Sequence, residues 1–276
     1  MAAPIEERYI EVDGIRTFVR RRPGEGIPTI WVHGNPTDSR DWLPFLAATA
    51  GPAIALDLPG FGRSTRPRPG VFDCTIGAYG RFLTDAFAEL APDGYRLVVH
   101  DWGAVGLLAA QARPEAVRRL VVINAVPLTS SYRWHWVARI WRRPVVGEAF
   151  ARSRSRFLAG QLLRLARAGR RPMPPEFLDR VLENWDEGMS RAILALYRSA
   201  DPDVLEAAGE HLGDIGCPAL VVWGDSDPYI SPDDGRFFGR AIPGAHFALV
   251  EHAGHWPWID RPDVVGRVAD FLAADD

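Results

Sequence analysis

The chain has 276 residues, of which 47% are hydrophobic, and its formal net charge is -3. This length fits one α/β domain, or a core with an inserted lid, and the near-balanced charge argues against general nucleic-acid binding. Two cysteines, Cys74 and Cys217, lie in unrelated segments without the Cys/His spacing of a zinc site or a disulfide framework. We therefore predict neither a metal site nor a disulfide.

The chain also lacks the sequence signals of a membrane or secreted protein. No run of 18 apolar residues occurs, and Met1 to Arg8 lacks the basic-then-apolar pattern of a signal peptide. We expect a cytoplasmic protein that does not insert into a membrane. The sequence leaves the oligomeric state open.

The N-terminal part of the chain predicts the beginning of a sheet. Arg8–Val12 and Ile15–Arg20 read as strands joined by a turn at Asp13-Gly14, and we expect them to form an antiparallel edge. Further on, apolar strands and an intervening helix are predicted at Pro28–His33, Trp42–Ala50 (the helix) and Ala53–Asp57.

The stretch Arg96 to Ala104, RLVVHDWGA, predicts a strand, a sharp turn and a helix with Asp101 at the turn. In a nucleophile elbow the reactive residue occupies this position, and the following helix N-terminus directs free N–H groups at the reaction centre. An ionised carboxylate there is ready to displace a leaving group from saturated carbon, as in an alkyl halide or an epoxide. The alternative is that Asp101 only caps the helix.

The remaining strands complete the predicted architecture. Apolar runs at Leu120–Ala125, Ala219–Trp223 and His246–Glu251 follow the elbow. Strands that alternate with helices, several of them continuously apolar, predict an α/β fold with a mostly parallel sheet covered on both faces. The sequence therefore indicates a core domain at residues 1–127 and 215–276.

Residues 128–214 predict a helical cap inserted into that core. Helical patterns occur at Trp134–Trp141, Val146–Ala168, Glu176–Glu187 and Arg191–Ser199. Aromatic residues of this region are candidates to line a dry pocket over Asp101, although most are expected to pack the cap: Trp134, Trp136, Trp141, Phe157, Phe177 and Trp185. Thr129–Pro172 also holds eleven arginines and one acid. We interpret this segment as a solvated helix surface in preference to a basic face that binds a partner.

A base and an acid follow the last two predicted strands. His255 lies just after the strand that ends at Glu251, which suits a base that activates water. Asp227 follows the strand that ends at Trp223 and suits the acid that orients the base, with Asp225 as the alternative. The chain order Asp101, Asp227, His255 is nucleophile, acid, base.

Asn35 and Trp102 are the candidate ligands of a leaving halide. Their backbone N–H groups, in the loop after one strand and directly after Asp101, would form an oxyanion hole. Their side chains are uncharged donors, which bind a halide in an apolar pocket without holding it too tightly to leave. The alternatives are packing for Trp102 and turn formation for Asn35.

Three motifs carry a family resemblance: HGNPT at His33–Thr37, DLPGFGRS at Asp57–Ser64, and HDWG at His100–Gly103. They resemble haloalkane dehalogenases of the α/β-hydrolase superfamily. The resemblance implies that alkyl halides, as small apolar organic substrates, and water are the partners, that an ester forms on the nucleophile, and that no cofactor is needed.

Two other functions stay open at the level of sequence. Epoxide hydrolases share the HDWG motif and use two cap tyrosines to protonate the epoxide oxygen; Tyr197 resembles the second and Tyr132 is a candidate for the first. A binding protein on a retired hydrolase fold is the third hypothesis. An intact nucleophile, acid and base argue against it.

Overall fold

The computed structural model describes residues 4–153 and 155–274. Within this part of the chain the strands form one eight-stranded sheet in the order β1-β2-β4-β3-β5-β6-β7-β8. The strands are β1 Glu6–Val12, β2 Ile15–Arg22, β3 Thr29–Val32, β4 Ala53–Leu56, β5 Tyr95–His100, β6 Val117–Ile123, β7 Ala219–Gly224 and β8 His246–Val250.

The helices fall into three groups along the chain: those before β6, those between β6 and β7, and those after β7. The sheet is accompanied by α1 Leu43–Ala48, α2 Ile76–Leu90 and α3 Gly106–Ala112. Between β6 and β7 come α4 Trp136–Trp141, α5 Val146–Ala151, α6 Arg156–Leu165, α7 Pro175–Asn184, α8 Glu187–Arg198 and α9 Pro202–Gly209. The chain closes with α10 Pro232–Ala241, α11 Pro257–Asp260 and α12 Asp263–Ala273.

The predicted fold class is confirmed. β1 and β2 pair antiparallel, β2 pairs antiparallel with β4, and every pair from β4 to β8 is parallel. The central strands β3, β5 and β6 are apolar on both faces because both faces are covered, and their apolar residues are buried. Their carboxyl ends therefore meet at one edge of the sheet, where loops can carry a site.

The described residues between β6 and β7, which we call the insertion, are mainly helical. The single helix predicted at Val146–Ala168 is wrong: α5 ends at Ala151, and Ser155 caps a new helix by accepting a hydrogen bond from Leu158 N. The helix predicted at Glu176–Glu187 likewise ends at Asn184, because Asp186 caps α8 through Met189 N at 2.7 Å. The boundaries of a separate cap at 128–214 stay a prediction.

Charged contacts hold the insertion on the core. The Arg180 guanidinium of α7 pairs with the fully buried carboxylate of Asp41, and Asn184 Nδ2 donates to Asp38 Oδ2 at 2.7 Å. Asp41 also accepts from Trp256 Nε1 at 3.3 Å. Because one buried carboxylate bonds to both α7 and the segment after β8, the two are fixed relative to each other.

No helix in the described ranges is long and apolar enough to cross a membrane. Both cysteines, Cys74 and Cys217, are free thiols, and Cys74 is buried.

Candidate active site

Asp101 begins a tight 3₁₀ turn, Asp101–Val105, between β5 and α3. Its φ of +50° is in the left-handed region, and the carboxylate is buried. The facing loop accommodates it because residue 34 is glycine: a Cβ on Gly34 would lie 2.3 Å from Asp101 Cβ and 2.4 Å from its Oδ1. The strand-turn-helix predicted around this residue is therefore present.

The two carboxylate oxygens of Asp101 have different neighbours. Oδ1 accepts a hydrogen bond from Asn35 N at 2.7 Å, whereas Oδ2 lies 3.4 Å from His255 Nε2. Burial alone raises the pKa of Asp101, but the His255 hydrogen bond and charge, assisted by Trp102 N–H, bring it below the ordinary value. Asp101 is therefore an ionised carboxylate at neutral pH.

His255 lies between Asp101 and Asp227. Its Nδ1 donates to Asp227 Oδ2 at 2.8 Å, so the ring is oriented from one side by Asp227 and presents Nε2 to Asp101 on the other. Burial lowers the pKa of His255, but the charges and hydrogen bonds of the two carboxylates outweigh it and raise the pKa to about 10. The geometry joins the three residues predicted as nucleophile, base and acid.

Asp227 is held by donors on both oxygens. Oδ1 accepts from the backbone of Tyr229 at 2.8 Å and Ile230 at 3.2 Å, and Oδ2 accepts from Asn124 Nδ2 at 2.6 Å. Sequence reasoning missed Asn124, although it directly follows the apolar strand β6. Asp225, the alternative acid, instead accepts from Ser226 Oγ and Ala253 N.

The backbone of His255 is also anchored. His100 Nε2 donates to the His255 carbonyl at 2.9 Å, and His255 N donates to Ala166 O of the insertion at 2.8 Å. Burial first, then the neighbouring His255, lowers the pKa of His100 to about 3, so this ring is a neutral structural donor.

The two candidate halide donors are placed differently: Asn35 lines the same cavity as Asp101, whereas Trp102, the next residue in the chain, is not part of the cavity lining. The Asn35 side-chain amide and Trp102 Nε1 are buried and have no hydrogen-bond partner in the described part of the chain. Trp102 stacks on Trp134 at 5.7 Å between ring centroids and meets the edge of Tyr197 at 5.0 Å. A buried N–H without a partner is costly, and a leaving anion would satisfy it.

Above Asp101 and His255 lies a mainly apolar cavity, closed by the insertion. Its apolar lining includes Val137, Trp141, Phe150, Leu158, Leu162, Leu163, Val181, Leu182 and Trp185. Of the aromatics predicted to line a pocket, Trp141 and Trp185 do so. The others pack or face solvent: Trp134 on Trp102, Phe177 on Trp256, and Trp136 and Phe157 at the exposed surface.

The two candidate tyrosines are placed differently. Tyr197 lines the cavity, with its hydroxyl next to Asn35 and Trp102 but without hydrogen-bond geometry to either. Burial and the Asp101 charge raise the pKa of Tyr197 well above its ordinary value, so the hydroxyl stays protonated. Tyr132 is not part of the cavity lining, and its hydroxyl donates to Tyr229 O at 3.3 Å. Of the two tyrosines, Tyr197 lines the cavity and Tyr132 does not, although both pack on Trp134.

Three further polar side chains of the lining were not singled out from the sequence: His135, at the start of α4, Ser153, after α5, and Tyr229, two residues after Asp227. The Tyr229 hydroxyl donates to Leu162 O at 3.0 Å. Nothing in the described ranges groups three or more His, Cys, Asp or Glu side chains as a metal would require.

The fold and site geometry define a class of protein. Residues 30–268 match the alpha/beta hydrolase family, so the chain belongs to that family and is an enzyme of the hydrolase type. The resemblance to haloalkane dehalogenases is confirmed: such an enzyme from Mycobacterium marinum is 32% identical over 264 residues, which cover 88% of this chain and 84% of that one.

Solved structures share the same fold. The haloalkane dehalogenase DatA from Agrobacterium tumefaciens C58 has a TM-score of 0.83 at 23% identity, covering 97% of this chain and 96% of its own. The epoxide hydrolase CorEH has a TM-score of 0.82 at 18% identity, covering 98% and 99%. Since both folds agree equally well, the choice of substrate depends on the site.

Proposed function

We propose that this enzyme is a haloalkane dehalogenase, which converts alkyl halides to alcohol, halide and a proton through an ester on Asp101. The observation that carries the proposal is the ionised Asp101 carboxylate in an apolar cavity that Asn35 also lines, together with the unpartnered side-chain donors of Asn35 and of Trp102, the next residue in the chain. The dehalogenase of M. marinum is among the relatives that support it.

In the first step Asp101 Oδ2 attacks the carbon that bears the halogen. The carbon–oxygen bond forms as the carbon–halogen bond breaks, and the electron pair leaves with the halide. Asn35 Nδ2 and Trp102 Nε1 receive the halide as uncharged donors. Asp101 needs no base for this step because it is already ionised.

Alkylation prepares the base for the second step. It neutralises Asp101, which is one of the two carboxylates that keep His255 protonated, so the pKa of His255 falls and the ring releases its proton to solvent. Neutral His255 then takes a proton from water, and the hydroxide attacks the ester carbon of Asp101. Oδ1 becomes the oxyanion, stabilised by the backbone N–H groups of Asn35 and Trp102. Collapse of the oxyanion breaks the bond between the ester carbon and Oδ2, and the alkoxide leaves as the alcohol with the proton of the acid that forms, which restores the Asp101 carboxylate beside protonated His255. Asp227 orients the ring and stabilises its charge.

Epoxide hydrolysis is the second candidate, because the Tyr197 hydroxyl lies in the cavity as a protonated donor. Its expected companion, Tyr132, is engaged by the Tyr229 carbonyl, which favours the halide reaction. A retired binding protein would have no need for an acid that is held by three donors and bonded to a base.

The decisive experiment removes the base. We expect His255→Phe to form the ester and fail to hydrolyse it, because Asp101 attacks without a base. Intact mass after incubation with 1-bromopentane should show a stable adduct of the alkyl group less a proton, mapped by digestion to the peptide that contains Asp101. An epoxide would instead add its whole mass. Normal turnover without an adduct would contradict the proposal.

A paired comparison separates the two substrates. If halide leaves toward Trp102, Trp102→Phe should slow release of bromide more than Tyr197→Phe does, since Tyr197 is outside the proposed donor pair. With an epoxide the order should reverse. Equal tolerance of both variants would remove both donors from the reaction.

A further inference from the structure

His135 is a polar residue of the cavity that the proposed reaction does not use. It directly precedes α4, and its ring lines the cavity between two tyrosines: 4.8 Å from Tyr229 and 6.2 Å from Tyr197 between ring centroids. Tyr229 in turn packs on His255 at 5.2 Å, and Tyr197 on Trp102 at 5.0 Å. His135 is thus one ring removed from both the proposed base and a proposed halide donor.

The start of α4 fixes the tautomer of His135. Ala138 N donates to His135 Nδ1 at 3.3 Å, so Nδ1 carries no proton and the ring acts as the N-cap of the helix. The proton of the neutral ring is therefore on Nε2. In the described part of the chain this N–H has no hydrogen-bond partner.

The ring is uncharged at neutral pH. Burial lowers the pKa of His135 to about 4, and the charges of Asp101 and Asp227 only partly oppose this effect. Nε2–H is then a neutral donor, like those of Asn35 and Trp102, but it belongs to the insertion. A negatively charged substrate group would be repelled by ionised Asp101, whereas an uncharged acceptor would not.

We propose that His135 Nε2–H forms a second polar subsite, which selects halogenated substrates that carry an uncharged hydrogen-bond acceptor, such as an ether or carbonyl oxygen, beyond the reacting carbon. This inference rests on the proposed dehalogenase function. An acceptor that enters the cavity loses its hydrogen bonds to water, and the Nε2–H replaces one of them. An alkane of the same shape gains nothing from it.

Three isosteric bromides test the subsite: 1-bromopentane, 2-bromoethyl ethyl ether and 1-bromo-3-methoxypropane. The readout is the ratio of kcat/KM for each ether to kcat/KM for the alkane. All three substrates react at a primary carbon that bears bromine, so an effect of a substitution on the chemical step cancels when the ratio is compared between wild type and variant.

Two variants of His135 separate the donor from the N-cap. In His135→Asn the amide oxygen replaces Nδ1 as the cap acceptor, but no donor reaches the place of Nε2. In His135→Gln the longer side chain carries an N–H₂ toward that place and loses the cap. We expect the ether-to-alkane ratio to fall roughly two- to tenfold in the Asn variant for at least one ether, and to be largely kept in the Gln variant. Thermal stability should show the opposite order.

The proposal is overturned if the Asn variant keeps both ratios, or if the Asn and Gln variants lower them equally. The second result would assign the effect to the shape of the cavity. Failure of the dehalogenase function looks different, since wild type would then consume none of the three bromides. In that case the subsite is tested with the corresponding alcohols, 2-ethoxyethanol, 3-methoxypropan-1-ol and 1-pentanol. Their dissociation constants are measured by tryptophan fluorescence, and the affinity of each ether alcohol relative to 1-pentanol is compared between wild type and the two variants.

Discussion

The two walls of the cavity are built in different ways. On the core side, Asp101, Asp227 and His255 follow strands of one sheet, and their polar atoms bond to each other and to backbone N–H groups. On the insertion side, His135 and Tyr197 are carried by helices and keep donors unused within an apolar lining. The reacting groups of the core wall are thus held in one arrangement, with the side-chain donors of Asn35 and Trp102 left for the halide, while the insertion wall keeps polar groups available for the rest of a substrate. We infer that the core determines the reaction and the insertion the substrate.

The largest expected effect comes from the core wall. Asp101→Ala removes the attacking group and should lower halide release by ~10⁴-fold or more, because no other carboxylate replaces it. Far-UV circular dichroism should be unchanged. Wild-type turnover in this variant would remove Asp101 from the mechanism.

The second largest effect is expected from Gly34→Ala, which crowds the Asp101 side chain on the core wall. In Gly34→Ala the new Cβ collides with Asp101, and a displaced carboxylate should reduce turnover by about 10²-fold. Gly216→Ala is the control, because nothing lies within 4 Å of its Cβ. If the Gly34 variant is as active as the Gly216 variant, the fit around Asp101 is looser than the structure indicates.

The attachment of the insertion is tested through stability. Arg180→Leu leaves the Asp41 carboxylate buried without its guanidinium and should reduce the free energy of unfolding by about 3 kcal/mol. Arg156→Leu removes an exposed pair with Asp179 on the same insertion and should cost less than about 1 kcal/mol. Urea unfolding measures both. Equal losses would show that burial of the pair makes no difference.

A fourth test is the pH dependence of the core wall. Folding raises the pKa of His255 from about 6.5 to about 10, so protonated His255 stabilises the fold fully below pH 6.5. This contribution is lost as pH rises through 10. The difference in free energy of unfolding between wild type and His255→Phe should therefore shrink from pH 6.5 to 10. A difference that grows with pH would contradict the charged Asp101–His255–Asp227 arrangement.

The same division explains how much the sequence predicts. Asp101, Asp227 and His255 each follow a strand, and the carboxyl ends of parallel strands converge, so their proximity was predictable. Asn124 was missed because the sequence analysis placed it inside the apolar run Leu120–Ala125, whereas β6 ends at Ile123 and Asn124 follows it. His135 could not be found from sequence, since the direction of its ring depends on where α4 packs. Local caps also ended the predicted helices early, as at Ser155.

The contact of His100 with the His255 carbonyl has a further consequence. His100 and Asp101 are neighbours in the chain, so a single peptide bond joins the residue that fixes the backbone of the proposed base to the proposed nucleophile. A displacement of the end of β5 therefore moves Asp101 and, through the hydrogen bond from His100, the backbone of His255 in the same direction. The separation of Asp101 and His255 thus depends on one peptide bond and one hydrogen bond at the end of β5, and the hydrogen bond from His255 N to Ala166 O couples the same backbone to the insertion.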